Sequence, residues 1–151
     1  MQLSLIITTY NQPEPLILSL KSVENQSIKP NEIIIADDGS GIETKNAILK
    51  FKRNSNLNII HSWQKDIGFR AAKSRNRAIV IAKSEYIVLI DGDMILHSRF
   101  VQDHLENSKI GNFIQGSRVL LTPIKTKELL SSKNNKISFF SNGIQNRKNA
   151  I

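Results

Sequence analysis

Two aspartates one residue apart, Asp91 and Asp93, stand at the end of the apolar run Tyr86-Ile87-Val88-Leu89-Ile90, with Gly92 between them. On extended chain, residues i and i+2 point to the same side roughly 6.5 Å apart. Two unpaired carboxylates that close repel each other unless a cation, or a group carrying one, lies between them. Taken alone, the stretch is explained equally well by an ordinary Asp-Gly turn.

Other polar groups fall at comparable places. Thr8-Thr9-Tyr10-Asn11 follows the run that begins at Leu3, and Asp37-Asp38-Gly39-Ser40 follows Ile33-Ile34-Ile35-Ala36. A fourth group is basic: Arg70, Lys73, Arg75 and Arg77 open an Ala-containing helix-forming run, with Gly68 at its entrance. In a helix, residues 70, 73 and 77 share a face and Arg75 lies elsewhere. Cations near a helix N-terminus oppose the macrodipole, so they cost stability unless an anion is bound there. That hints at phosphate, with a solvated surface face as the plain alternative.

These groups need elements to position them. The apolar runs at residues 3–9, 33–36 and 86–90 read as strands buried on both faces, with a less certain strand at 58–62. Between them, a helix is expected from about Pro13 to Asn25, with prolines in its first turn and Leu16, Leu20 and Val23 on one face. Another carries Ile48, Leu49 and Phe51, and a third spans much of 66–82. Alternating strands and helices imply an α/β fold with a mostly parallel sheet and right-handed crossovers. Open sheets of that kind bind ligands beyond the carboxyl ends of their strands, where all three polar strand ends would lie. Further along, Phe100–Leu105 reads as a short helix, Phe113–Leu121 as another strand and Lys125–Leu130 as a helix.

Composition narrows the classes. With 151 residues the chain suits one domain, and 40% hydrophobic with 23% charged residues is ordinary for a soluble one. It has no cysteine, which excludes disulfides and thiolate metal sites. No apolar run approaches the roughly 18 residues of a membrane span, and the first residues are too short for a signal peptide, so a cytoplasmic placement is expected. The net charge of +8 is concentrated late: residues 99–151 carry nine basic and three acidic side chains. Such a tail suits an anionic membrane face or a missing acidic segment, with plain solvation as the equal alternative. Nucleic acid is not expected, because the basic tail lacks interleaved aromatic residues.

The residue types also choose among ligands. No G-x-G-x-x-G follows the first strand and no G-x-x-x-x-G-K-[ST] occurs. Carboxylate oxygens without Cys or clustered His suit Mn²⁺ or Mg²⁺, and an ion held by one or two carboxylates takes its other ligands from phosphates and water. Carboxylates, a metal and nearby arginines together make a site for a diphosphate leaving group.

In order and separation, four segments resemble the nucleotide-binding half of the inverting GT-A glycosyltransferases of the large bacterial family 2. They are Ser4-Leu5-Ile6-Ile7-Thr8-Thr9-Tyr10-Asn11, then Asp37 to Ser40, then Gly68, Arg70, Arg75 and Asn76, then the D-x-D of Asp91 and Asp93. The resemblance covers residues 1 to about 120, and it implies a GT-A, Rossmann-like sheet flanked by helices and incomplete at its C-terminal side. Residues 121–151 would be a basic extension that begins an acceptor-binding part.

The resemblance implies roles. Thr8, Tyr10 and Asn11 would border the base pocket, Tyr10 by stacking on uracil, and Asp37 and Asp38 would lie at the donor, Asp38 accepting from a base N–H. Gly68 would let backbone approach, and Arg70 and Arg75 would sit beside the phosphates. Asp91 would face the ribose or the metal, and Asp93 would ligate the metal. The donor would be a nucleotide-diphosphate sugar, with UDP as the family expectation, and the acceptor a glycan or lipid-linked glycan at the inner face of the cytoplasmic membrane.

Members of the family continue into a part that supplies a carboxylate general base, and Asp103, Glu106 and Glu128 stand in no matching context. The chain is therefore expected to be a truncated or split form, or a homodimer, that grips a donor and transfers sugar poorly by itself. A nucleotide-binding module without chemistry is the chief alternative. A phosphoacceptor receiver domain fits less well, because Asp91-Gly92-Asp93 would go unexplained.

Overall fold

The computed structural model describes residues 1–150. Four parallel strands, β1 (Leu3–Thr9), β2 (Glu32–Asp37), β3 (Ile59–Trp63) and β4 (Tyr86–Asp91), form one sheet in the order β3-β2-β1-β4. Helices α1 (Pro13–Glu24), α2 (Ile42–Arg53) and α3 (Ala71–Ile81) make the crossovers. The α/β expectation holds: this is a parallel sheet flanked by helices.

Side-chain alternation along the strands sorts the apolar residues to two faces. Leu5 and Ile7, Ile33 and Ile35, Ile59, and Val88 and Ile90 pack under Leu16, Leu20 and Val23 of α1 and Ile48 of α2. The helix α4 (Phe100–Asn107) adds Val101 to that side. On the other face, Ile6, Ile34 and Ala36 meet Ala78 of α3. Small residues on α3 let it lie close to the central strands β1 and β2. At the sheet edge Leu89 stays half exposed.

One polar cluster closes the end of the sheet away from the site. Glu32 is 3% exposed, and its Oε1 accepts from Ser4 Oγ and from the Lys83 N–H, both at 2.6 Å. The Ser84 N–H donates in turn to Ser4 Oγ. Burial alone pushes the Glu32 carboxyl up, and the hydrogen bonds from Ser4 and Lys83 outweigh it, so the group titrates below its ordinary value. A carboxyl lowered on folding stabilises fully above its unfolded value of about 4.3, and that share is lost as pH falls through the lower folded value. Glu32→Ala is expected to cost about 2–3 kcal/mol at neutral pH, since it strands buried donors. Denaturant unfolding at pH 7 and pH 3 checks this: the gap between variant and parent should shrink in acid, and an unchanged gap would contradict it.

The later part departs from expectation. Only Leu120–Leu121 (β5) of the expected strand at 113–121 is extended and paired, antiparallel to Ile144–Gln145 (β6). Residues 113–119 are irregular, with Phe113 88% exposed. Composition gave that segment β character, but a strand needs a neighbour to accept its hydrogen bonds, and among the described residues none lies beside it. The helix expected at 125–130 is longer, α5 (Pro123–Ser132), begun by Pro123 and capped by the Thr122 side chain. Phe139 and Phe140 stack edge to face on each other, outside the core. No helix among the described residues is long and apolar enough to cross a membrane.

Candidate active site

Registry brings the polar strand ends together. Thr8 lies opposite Asp91 across β1 and β4, and Thr9 opposite Asp37 across β1 and β2. Beyond these ends opens a cavity of about 380 Å³, bordered by Thr8, Thr9, Tyr10, Gln12, Asp38, Phe69, Ala71, Arg75, Asp91, Gly92 and Asp93.

Arg75 occupies the middle. From the first turns of α3 its Nε donates to Thr8 Oγ1 at 2.9 Å and its Nη2 to Asp91 Oδ1 at 2.8 Å. Asp91 is thereby given a cation by the protein itself. Asp93, one residue past Gly92, is exposed and enters none of the ion pairs among the described residues. Gly92 has its own reason: a Cβ there would meet the Thr8 carbonyl oxygen at 2.8 Å, so the turn can cross the end of β1 only without a side chain.

The neighbouring aspartates Asp37 and Asp38 divide. Asp38 borders the cavity at 4% exposure, its Oδ1 accepting from Gln64 Nε2 at 2.5 Å and its Oδ2 from the Arg70 N–H at 2.7 Å. Asp37 does not reach the cavity. Its carboxylate is fully buried, accepting from the Gly39 and Ser40 N–H groups and from His61 Nε2 at 2.8 Å. Burial raises its pKa, yet the hydrogen bonds from His61 and Ser40 more than offset that and leave it lowered. Expected at the donor, Asp37 instead shapes the turn that presents Asp38.

Three more of the expected residues lie off the cavity wall. Asn11, at φ 50°, donates its N–H to Ser40 Oγ and accepts from the Gly41 N–H, so it ties two loops together and is not a cavity wall. Arg70 sends its guanidinium to the Lys65 carbonyl and serves the site through its backbone, the N–H donating to Asp38 and the carbonyl accepting from Gln64. Gly68, at φ +79° with open space around it, serves the turn's left-handed geometry and is not a cavity wall. Tyr10 does border the cavity, 47% exposed, with its hydroxyl donating to Asp66 Oδ2 at 2.9 Å. That bond and the charge of Asp66 raise the phenol's pKa.

Gln12 and Phe69 also border the cavity, and Gln64 and Asp66 hold its walls, though no sequence motif points to any of the four. A signal existed for two of them: the strand at 58–62 runs on into Gln64 and Asp66, a fourth polar strand end on the same side of the sheet.

As a metal site, the cavity offers few protein ligands. Among the described residues no three His, Cys, Asp or Glu side chains converge on one point. Asp93, with Asp91 beside it, fits an ion that draws most of its ligands from phosphate and water.

A profile of the family described as "Glycosyl transferase family 2" matches residues 4–149. The chain belongs to glycosyl transferase family 2. Within that family it is 36% identical over 105 residues to the chondroitin synthase of Escherichia coli, a match covering 69% of this chain and 15% of that protein. It is 35% identical over 115 residues to the poly(ribitol-phosphate) beta-N-acetylglucosaminyltransferase TarP of Staphylococcus aureus, covering 74% and 34%. The chain thus spans about a third or less of either relative. Among solved structures, S. aureus TarS 1–349 in complex with UDP-GlcNAc superimposes with a TM-score of 0.60 at 20% identity, over 88% of this chain and 48% of that one. The mannosyltransferase PcManGT of Pyrobaculum calidifontis, in complex with GDP-Man and Mn²⁺, gives 0.58 at 20% identity, over 85% and 38%. At these identities the likeness is one of fold.

Proposed function

We propose that this chain is the donor-binding part of an inverting, hexosyltransferase-type glycosyltransferase, taking a nucleotide-diphosphate sugar, UDP-linked by expectation, and passing the sugar to a glycan or lipid-linked acceptor. The observation that carries this reading is the convergence of Asp91, Asp93, Arg75 and Asp38 on one cavity at the strand ends. Family membership and the complexes of the structural neighbours with UDP-GlcNAc and with GDP-Man and Mn²⁺ support it.

In this reading Asp38 accepts from the base, the Tyr10 ring lies against it, and Arg75 orients Asp91 toward the ribose. Asp93 holds Mn²⁺ or Mg²⁺, with Asp91 adjacent. When bound, the cation neutralises charge growing on the departing nucleoside diphosphate. Residues 1–120 form the donor part, and 121–151 begin the acceptor-facing one.

One observation favours a narrower role. Asp103 and Glu106 pair with Arg99, Glu128 pairs with Lys125, and none of the three borders the cavity. None of these three acids therefore stands at the cavity as a general base. The chain alone is expected to bind UDP in the presence of Mn²⁺ and to transfer sugar poorly. Calorimetry with UDP, with and without Mn²⁺, tests the first half. Binding that is absent, or indifferent to Mn²⁺, would replace this reading with that of a degenerate module.

A further inference from the structure

Gln64 follows the end of β3, is 4% exposed, and was marked by nothing in its sequence context. Its side-chain nitrogen lies between two acceptors, Asp38 Oδ1 at 2.5 Å and the Arg70 carbonyl oxygen at 3.3 Å. That fixes the orientation of the amide, because turning it over would place its oxygen against both. The Arg70 N–H reaches the other oxygen of Asp38 at 2.7 Å. Each Asp38 oxygen is therefore held by a group that only donates, and each keeps a further lone pair free.

A carboxylate held this way can greet an incoming base in one manner, by accepting. Uracil and guanine present an N–H on the edge that pairs in a duplex, whereas cytosine and adenine present a bare ring nitrogen there. A lone pair facing a buried carboxylate has no proton to share and loses its water as well.

We propose that Gln64 is a positioning residue that locks Asp38 as an acceptor and so sets the cavity's selectivity for nucleobases with a ring N–H. The inference rests on the donor-binding reading above and adds to it the residue that enforces the choice of base. It also separates two functions along the cavity: the Asp38 end discriminates bases, and the Asp91–Asp93 end meets the ribose and diphosphate without regard to base.

The experiment measures affinities of UDP, GDP, CDP, ADP and pyrophosphate, all with Mn²⁺, for the parent chain and for Gln64→Met and Gln64→Glu. Met keeps the length and removes both donors; Glu keeps the shape and sets an acceptor against two others. The parent is expected to prefer UDP or GDP over CDP and ADP, the two favoured arms telling uracil from guanine. In both variants the preference should fall by about tenfold, the scale of one charge-assisted hydrogen bond. Pyrophosphate affinity should stay within about twofold of the parent, since a local loss leaves a separate site alone.

An unchanged base preference in a folded variant overturns the proposal while the donor-binding reading stands. A parent that binds no nucleotide overturns both. Should neither variant fold, the parent itself decides by magnetic resonance with glutamine amide labelling: the Gln64 side-chain signal should shift with UDP or GDP and not with pyrophosphate. A signal that ignores the base overturns the proposal.

Discussion

Asp93→Ala is expected to remove the Mn²⁺-dependent part of UDP binding, a loss of at least about 100-fold, above the effect typical of residues that only support a ligand. Its melting temperature should stay within about 2 °C of the parent, because an exposed side chain without a partner contributes little to folding. The reason for choosing Asp93 over Asp91 lies in Arg75. Asp91 already faces a guanidinium at 2.8 Å, so a second cation beside it is partly opposed by the first. Asp93 has no such counter-charge among the described residues and is the freer ligand. Asp91→Ala should give a milder loss of UDP affinity and should also release Arg75 toward added anion. Titration of both variants with UDP, with Mn²⁺ and with a chelator, checks the order. If Asp93→Ala keeps the Mn²⁺ enhancement while Asp91→Ala loses it, the assignment is reversed.

Gly39→Ala is expected to be the most damaging small substitution near the site. Gly39 sits at φ +102°, and a Cβ there would lie 2.6 Å from Asp66 Cα and 2.7 Å from Asp66 N. Those are backbone atoms, so no side-chain rotation relieves the clash. Strain at such a φ and overpacking each cost on the order of 1–3 kcal/mol, which predicts about 2–6 kcal/mol together. The functional loss comes from the displaced neighbour: the stretch after β3 carries Gln64, Asp66 and the Arg70 N–H, which hold Asp38 and Tyr10. UDP affinity should therefore fall by about tenfold even in the fraction that remains folded. Gly68→Ala is the matched control, with φ +79° but open space around the new methyl, and it should cost only about 1 kcal/mol. Thermal melts and calorimetry on the two variants separate clash from strain. Equal costs for both would remove the steric argument.

The sheet and the edge where its polar strand ends meet could be read from the chain because each rests on a strong, local pattern. Three apolar runs that each stop at polar residues mark buried parallel strands and a common edge, and the structure has both. Which member of an adjacent pair faces the cavity could not be read. Asp37 and Asp38 are chemically alike, and their fates are decided by His61, 24 residues on, and Gln64, 26 residues on. The arginines behave likewise. Sequence spacing set Arg75 apart from residues 70, 73 and 77, yet Arg75 became the central contact because its turn of α3 faces the junction of β1 and β4. Arg70 was drawn away by a carbonyl in its own loop. The strand expected at 113–121 failed for the converse reason: β character is a property of the segment, but pairing is a property of its neighbours.

The sheet order has a temporal consequence. Leu3 pairs with Tyr86 and Thr8 with Asp91, so β1, made before the other strands of its sheet, lacks one of its two neighbours until more than eighty further residues have been added. Loop closure over that distance is slow, and the contacts that reward it arrive only when the loop is closed. During translation β1, β2 and β3 can associate first, leaving the β4 side of β1 unpaired. Arg75 then waits on α3 for Asp91, and the two halves of the cavity meet last. A ribosome paused before residue 91 would have made most of this domain's core and neither of the paired carboxylates at the strand end.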